Sequence, residues 1–206
     1  MTVGLPLPAP RAVIFDLDGT LTQPLLDFDR IRREIGIAPQ LPILEALAGR
    51  DADFRARAEV ILRRHELAAI ASATLAEGCV ELLELLAARA VPTAILTRNM
   101  REAVDAFLSR FGFQFQAIYT REDGPPKPSP EGVHVLCRAL GFPAAQILAV
   151  GDYKFDVISA RGAGCRAALV RHPPPDDLAD WGSPDMVVAS LRDLLPLWGG
   201  VATPER

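Results

Sequence analysis

Arg11-Ala-Val-Ile-Phe-Asp16-Leu-Asp18-Gly-Thr20 is the stretch whose reading decides the fold. Its first half, Arg11–Phe15, is a short apolar and β-branched run, the pattern of a strand buried on both faces of a parallel sheet. The second half turns polar at once. Side chains of an extended chain repeat every two residues, so a continuation of the strand puts the carboxylates of Asp16 and Asp18 on one side. Gly19 then permits a sharp turn.

Outward from this strand the pattern changes twice. From Asp27 to Ser72 the apolar spacing is helical: DFDRIRREIG opens on an aspartate cap and stops at Gly36, PILEALAG stops at Gly49, and Asp51 caps a long segment through Ile70. From Gly78 strands and helices alternate. The spacing predicts a helix to about Ala90, a strand at Thr93–Thr97, a helix at Asn99–Phe111 and a strand at Gln116–Thr120. A helix at Pro130–Leu140, a strand at Ile147–Val150, a helix at Phe155–Gly162 and a strand at Ala167–Val170 follow. A short strand at Met186–Val188 and a helix at Leu191–Leu197 extend the series. Alternation of this kind predicts a doubly wound α/β sheet, with a helical insertion of roughly fifty residues placed directly after the first strand. We assign residues 1–22 and 75–206 to the sheet core and 23–74 to the helical insertion.

The composition bounds what such a chain can do. The protein has 206 residues, half of them apolar and 23% charged, which is ordinary globular composition. A net charge of −4 offers no broad electropositive face for a phosphate backbone, so nucleic acid is not an expected partner. The three cysteines, Cys79, Cys137 and Cys165, are widely spaced and in no metal-ligand pattern, which reads as reduced thiols. MTVGLPLPAPR lacks a basic n-region and carries prolines where a signal peptide is apolar, and no apolar run approaches a membrane span. A cytoplasmic protein with no membrane partner is expected.

Ligands of open α/β sheets bind outside the carboxyl ends of the strands. There the chain is unusually polar. Beside Asp16 and Asp18 stand Thr97-Arg98-Asn99 after the second strand, with a hydroxyl and backbone N–H groups at a helix start. Lys127 sits among prolines in Gly124-Pro-Pro-Lys-Pro-Ser-Pro130, before a helix. Gly151-Asp152-Tyr-Lys-Phe-Asp156 adds two carboxylates at the start of another helix. Four aspartates, a lysine, a threonine and helix N-termini on one edge describe a site for a hard cation and a phosphoryl group. Oxygen-only ligands favour magnesium over zinc, and His65, His134 and His172 fit no ligand spacing. An aspartate is already anionic at neutral pH and can attack phosphorus without a base; a second carboxyl two residues on can protonate the leaving oxygen and later take a proton from water. Lys154 is a further candidate for substrate contact, or a solvated helix charge.

Asp16-Leu-Asp18-Gly-Thr20, Thr97, Lys127 and Gly151-Asp152 with Asp156 resemble the four ordered motifs of the haloacid dehalogenase-like hydrolase superfamily. The resemblance covers about residues 11 to 172, and LTRN, TREDGPPKPSPEG, VGDYKFD and ARGAG are similar to phosphoglycolate phosphatase-like members. It implies a Rossmann-like core with a small helical cap. It also implies that Asp16 is nucleophile and metal ligand, and that Asp18 is general acid/base and gives the metal its backbone carbonyl. Thr97 and Lys127, with Gly19 and the Arg98 backbone, would bind phosphate. Asp152 would be the third metal contact, directly or through water, and Asp156 would orient metal waters or pair with Lys127.

The activity implied is a magnesium-dependent phosphatase acting through an aspartyl phosphate on a small phosphorylated metabolite, phosphoglycolate-like or a sugar phosphate. A phosphosugar mutase shares all four motifs, and an idle phosphate-binding module is the alternative outside enzymes. Dehalogenases of the superfamily typically lack an aspartate at the position of Asp18. Substrate choice is expected to fall to the insertion, whose basic residues are all arginine, among them Arg30, Arg32, Arg33, Arg55, Arg57, Arg63 and Arg64; most should pair on helix surfaces. The oligomeric state is not legible.

Overall fold

A computed structural model describes residues 8–171 and 173–199. The readings made on residues 1–7, on His172 and on the chain beyond residue 199 lie outside them. Six strands form one parallel sheet: β1 (Ala12–Phe15), β2 (Thr93–Leu96), β3 (Ala117–Tyr119), β4 (Ile147–Gly151), β5 (Arg166–Val170) and β6 (Met186–Val188), in the order β3-β2-β1-β4-β5-β6. The order runs outward in both directions from β1, so the sheet is doubly wound and β1 lies at the point where the winding reverses.

Two-residue periodicity divides the sheet's side chains between two cores. Val13 and Phe15 join Ile95, Leu148 and Val150 on one face, covered by α4 (Cys79–Ala88) and α5 (Arg101–Phe111) through Leu82, Leu86 and Phe107. Ala12 and Ile14 join Ala94, Leu96, Ile147 and Ala149 on the other, covered by α6 (Glu131–Leu140) and α7 (Lys154–Gly162) through Val133, Leu136 and Val157. Burying each large side chain of this kind contributes about 1.5–3 kcal/mol over leaving it in water. Every residue of β1 is buried, which is why its sequence is an unbroken apolar run instead of an alternating one.

Leu191–Trp198 is a 3₁₀ helix where an ordinary helix was expected. Pro196 lies inside it, and a proline there has no N–H to donate and would clash with the carbonyl four residues back in an α-helix. The segment still buries Leu191, Leu194, Leu195 and Trp198.

Between β1 and α4 stand α1 (Phe28–Ile35), α2 (Ile43–Leu47) and α3 (Ala52–Ser72). Asp27 caps α1 by accepting the Arg30 N–H at 2.9 Å, and Asp51 caps α3 by accepting the Phe54 N–H at 2.8 Å. These helices share a small apolar cluster of their own, built on Ile31, Ile35, Ile43, Leu47, Ala58 and Leu62. The far end of α3 leaves that cluster, and Ile70 packs in the sheet core with Leu82 and Phe107. One long helix thus carries the three-helix block over the sheet's carboxyl edge.

Candidate active site

The β1 register runs one residue beyond the strand, with the Asp16 N–H donating to the Val150 carbonyl at 2.9 Å. β2 does the same, the Thr97 N–H donating to the Tyr119 carbonyl at 3.0 Å. Both residues are therefore held by sheet hydrogen bonds at the carboxyl edge. Beyond Asp16 the chain turns tightly, the N–H groups of Leu21 and Thr22 both donating to the Leu17 carbonyl at 3.0 and 3.1 Å.

Two glycines make room for carboxylates. Gly19 has φ +84°, and a Cβ there would stand 2.4 Å from Oδ2 of Asp152. A Cβ on Gly151 would stand 2.2 Å from Cγ of Asp156. Asp156 is fixed from its other side by the Tyr153 N–H, which donates to Oδ2 at 3.0 Å at the start of α7.

Lys127 is buried, and its ammonium lies between two carboxylates, donating to Oδ1 of Asp16 at 2.5 Å and to Oδ1 of Asp156. Carboxylate oxygens of Asp16, Asp152 and Asp156 all lie within 4.8 Å of one another. Burial pushes Asp16 up to about 7 against the pull of Lys127. Asp152 is pushed up to about 8, by burial first and then by the charges of Asp16 and Asp156. Burial raises Asp18 to about 6; its Oδ1 accepts the Leu25 N–H at 3.5 Å. Burial opposes the ammonium of Lys127, but Asp156 and Asp16 outweigh it and raise its pKa. Three clustered carboxylates with Asp18 near Asp152, against one ammonium, leave an excess of negative charge at a buried place. Oxygen-only donors in that number suit a hard divalent cation.

Thr97, Arg98 and Asn99 share a cavity of about 570 Å³ with Asp16, Asp18, Lys127, Asp152 and Asp156. The Thr97 hydroxyl accepts the Asn99 N–H at 3.1 Å. The Arg98 side chain, which sequence reading left open, is bidentate on Glu45 of α2 at 2.8 and 2.7 Å. Its guanidinium also donates to the Lys127 carbonyl and lies 4.9 Å from the centre of the Phe155 ring. Across the cavity stand Ile31 and Arg32 of α1, Leu44 of α2 and Leu62 and Glu66 of α3.

Among the insertion's arginines, Arg32 reaches this wall, and it is held by Asp29 and the Leu41 carbonyl, each at 2.9 Å. Arg30 and Arg64 pair with Glu34, and Arg63 with Glu102. His65 also meets Glu34, at 2.9 Å, and the Lys154 ammonium lies 5.9 Å from the centre of the Tyr153 ring.

Sequence reading missed Glu66 and Arg121. Glu66 is 3% exposed, and its carboxylate accepts from Arg121 at 2.6 Å and from the Met100 N–H at 2.9 Å. The signal was present. Ala58, Leu62, Glu66 and Ile70 recur every four residues along the buried stripe of α3, and a charge on such a stripe needs a partner across the interface. Among the described residues no helix is long and apolar enough to cross a membrane.

A family model described as haloacid dehalogenase-like hydrolase matches residues 32–170. A phosphoglycolate phosphatase of Rhodospirillum rubrum is 31% identical over 193 residues, covering 79% of this chain and 80% of its own length. An N-acetylmuramic acid 6-phosphate phosphatase of Pseudomonas aeruginosa is 27% identical over 212 residues, covering 90% of this chain and 93% of its own. In three dimensions the fold is similar to a hydrolase from Pseudomonas syringae, with TM-score 0.75 at 21% identity over 90% of this chain and 96% of that one.

Proposed function

The chain belongs to the haloacid dehalogenase-like hydrolase family, and we propose that it is a magnesium-dependent phosphatase of a compact phosphomonoester, working through a phosphorylated Asp16. The observation that carries this reading is the buried cluster in which Lys127 bridges Asp16 and Asp156 beside Asp152, in a cavity lined by the sheet edge and the helical block. Two relatives named as phosphatases of small phosphorylated compounds support the substrate class. The cavity volume, about 570 Å³, suits a ligand of that size.

Asp16 and Asp152, with the backbone carbonyl of Asp18, are the groups that would hold magnesium, and Asp156, paired with Lys127, would orient its waters. Bound there, the cation would offset the carboxylates' repulsion and draw charge from the phosphoryl oxygens. Asp16 attacks phosphorus through a carboxylate oxygen, forming the acyl phosphate as the bond to the ester oxygen breaks. Asp18, raised towards 6, carries a proton over part of the neutral range and gives it to the departing oxygen. It then accepts a proton from the water that attacks the acyl phosphate, releasing phosphate and restoring Asp16. Lys127, Thr97 and backbone N–H groups after Gly19 and Thr97 balance charge on the transferring group.

The test is a panel of phosphorylated metabolites with purified protein and magnesium, followed by mass spectrometry of acid-quenched enzyme. A phosphoryl adduct on the peptide containing Asp16, absent from Asp16→Asn, is expected. Undiminished turnover by that variant would remove Asp16 from the chemistry.

A further inference from the structure

Glu66 is the one ionisable side chain of residues 23–74 that is buried. A leucine there would continue the stripe from Leu62 to Ile70, and burying a carboxylate instead costs several kcal/mol unless its bonds are well made. Burial pushes it up to about 7 even with Arg121 beside it. What the carboxylate does that leucine could not is visible in its partners. One oxygen accepts the Met100 N–H, at the N-cap of α5, where no side chain of α5's own end caps the helix. The other accepts from Arg121, whose guanidinium also donates to the Arg98 carbonyl at 3.2 Å and to Glu59 at 2.6 Å. Directly and through Arg121, Glu66 therefore grips the backbone at residues 98 and 100, on either side of Asn99, in the loop that begins at Thr97.

We propose that Glu66 is a positioning residue for this loop: α3, by docking its carboxylate on Met100 and Arg121, completes the phosphate-binding surface from the other side of the cavity. Phosphate is then held tightly only with the helical block seated. The inference rests on the phosphatase reading, because it takes the Thr97 loop as the phosphate site.

Its sign separates it from simple electrostatics. Neutralising a carboxylate on the cavity wall should tighten anion binding if only charge matters. If Glu66 positions the loop, Glu66→Gln weakens it, because the amide can accept one of the two donors and meets the other with its own N–H. Glu66→Asp keeps the charge, is one methylene too short, and weakens it as well. The measurement is the dissociation constant of inorganic phosphate, by phosphorus NMR titration in excess magnesium, with p-nitrophenyl phosphate kinetics and thermal unfolding alongside. Roughly tenfold weaker phosphate binding in both variants is expected, with KM rising more than kcat falls. A lowered melting temperature with unchanged or tighter phosphate binding in either variant would make the role purely structural and overturn the proposal. Wild type that binds no phosphate would overturn both readings; wild type that binds it equally well with the variants overturns this one alone.

Discussion

Gly19 and Asp152 are so close that a single added carbon on Gly19 would lie 2.4 Å from the aspartate's Oδ2. The turn after β1 and the turn after β4 are thus fitted to each other at a position that lacks a side chain. Gly36 supplies a control, with φ +83° and nothing within 4 Å of its would-be Cβ. Alanine at either position carries the left-handed backbone penalty of roughly 1–2 kcal/mol. Only Gly19→Ala also displaces Asp152. Gly36→Ala should lose only the backbone penalty and Gly19→Ala at least as much stability, with activity falling at least about a hundredfold in Gly19→Ala alone, on the scale of a misplaced catalytic group. Comparable activities would show that Asp152 can move without consequence.

Lys127 has no room to grow. Its ammonium is buried between Asp16 and Asp156, and a planar guanidinium cannot occupy the place of a compact ammonium donating to both. Lys127→Arg should therefore lose most activity despite keeping its charge. A near-normal rate would show that net charge alone is needed there.

The crowded carboxylates have a pH signature. Asp16 and Asp152 are raised from the ordinary 3.8 to about 7 and about 8. Between those values the folded protein binds more protons than the unfolded chain, so its stability falls as pH rises from about 4 to about 8. Divalent cation bound to the folded state opposes the loss by mass action. Melting temperature in chelator should decline across that window, and magnesium should restore more of it at pH 8 than at pH 5. A flat profile in chelator, or no magnesium effect, would contradict the cluster's role.

Arginines linking the helical block to the sheet should differ sharply in weight. Arg121 and Glu66 are both nearly inaccessible, with side chains 7% and 4% exposed, whereas Arg63 and Glu102 are more than half exposed. Arg121→Met strands Glu66 without its cation and should cost roughly 3–5 kcal/mol in a denaturant titration. Arg63→Ala should produce no measurable shift, since an exposed pair is screened and costs side-chain entropy to hold. Similar effects from the two would mean that burial does not set the worth of these pairs.

Much of this protein is written locally. The unbroken apolar run of β1 announces a strand buried on both faces, because a parallel sheet covered by helices leaves no wet side. Asp27 and Asp51 mark helix starts, because their side chains satisfy N–H groups that the helix cannot. Asp16, Asp18, Thr97 and Asp152 could be picked out because each sits just past a strand end, and Lys127 and Asp156 because they stand before or at the start of a helix. What local pattern does not carry is distance between segments far apart in the chain. That Glu45 would take the Arg98 side chain, that Glu66 would find Met100 and Arg121, and that Arg64 would reach Glu34 and Arg63 reach Glu102 depend on how three helices settle over the sheet. A charged side chain chooses among many partners within its reach, and only the packed tertiary structure decides which of them lies there.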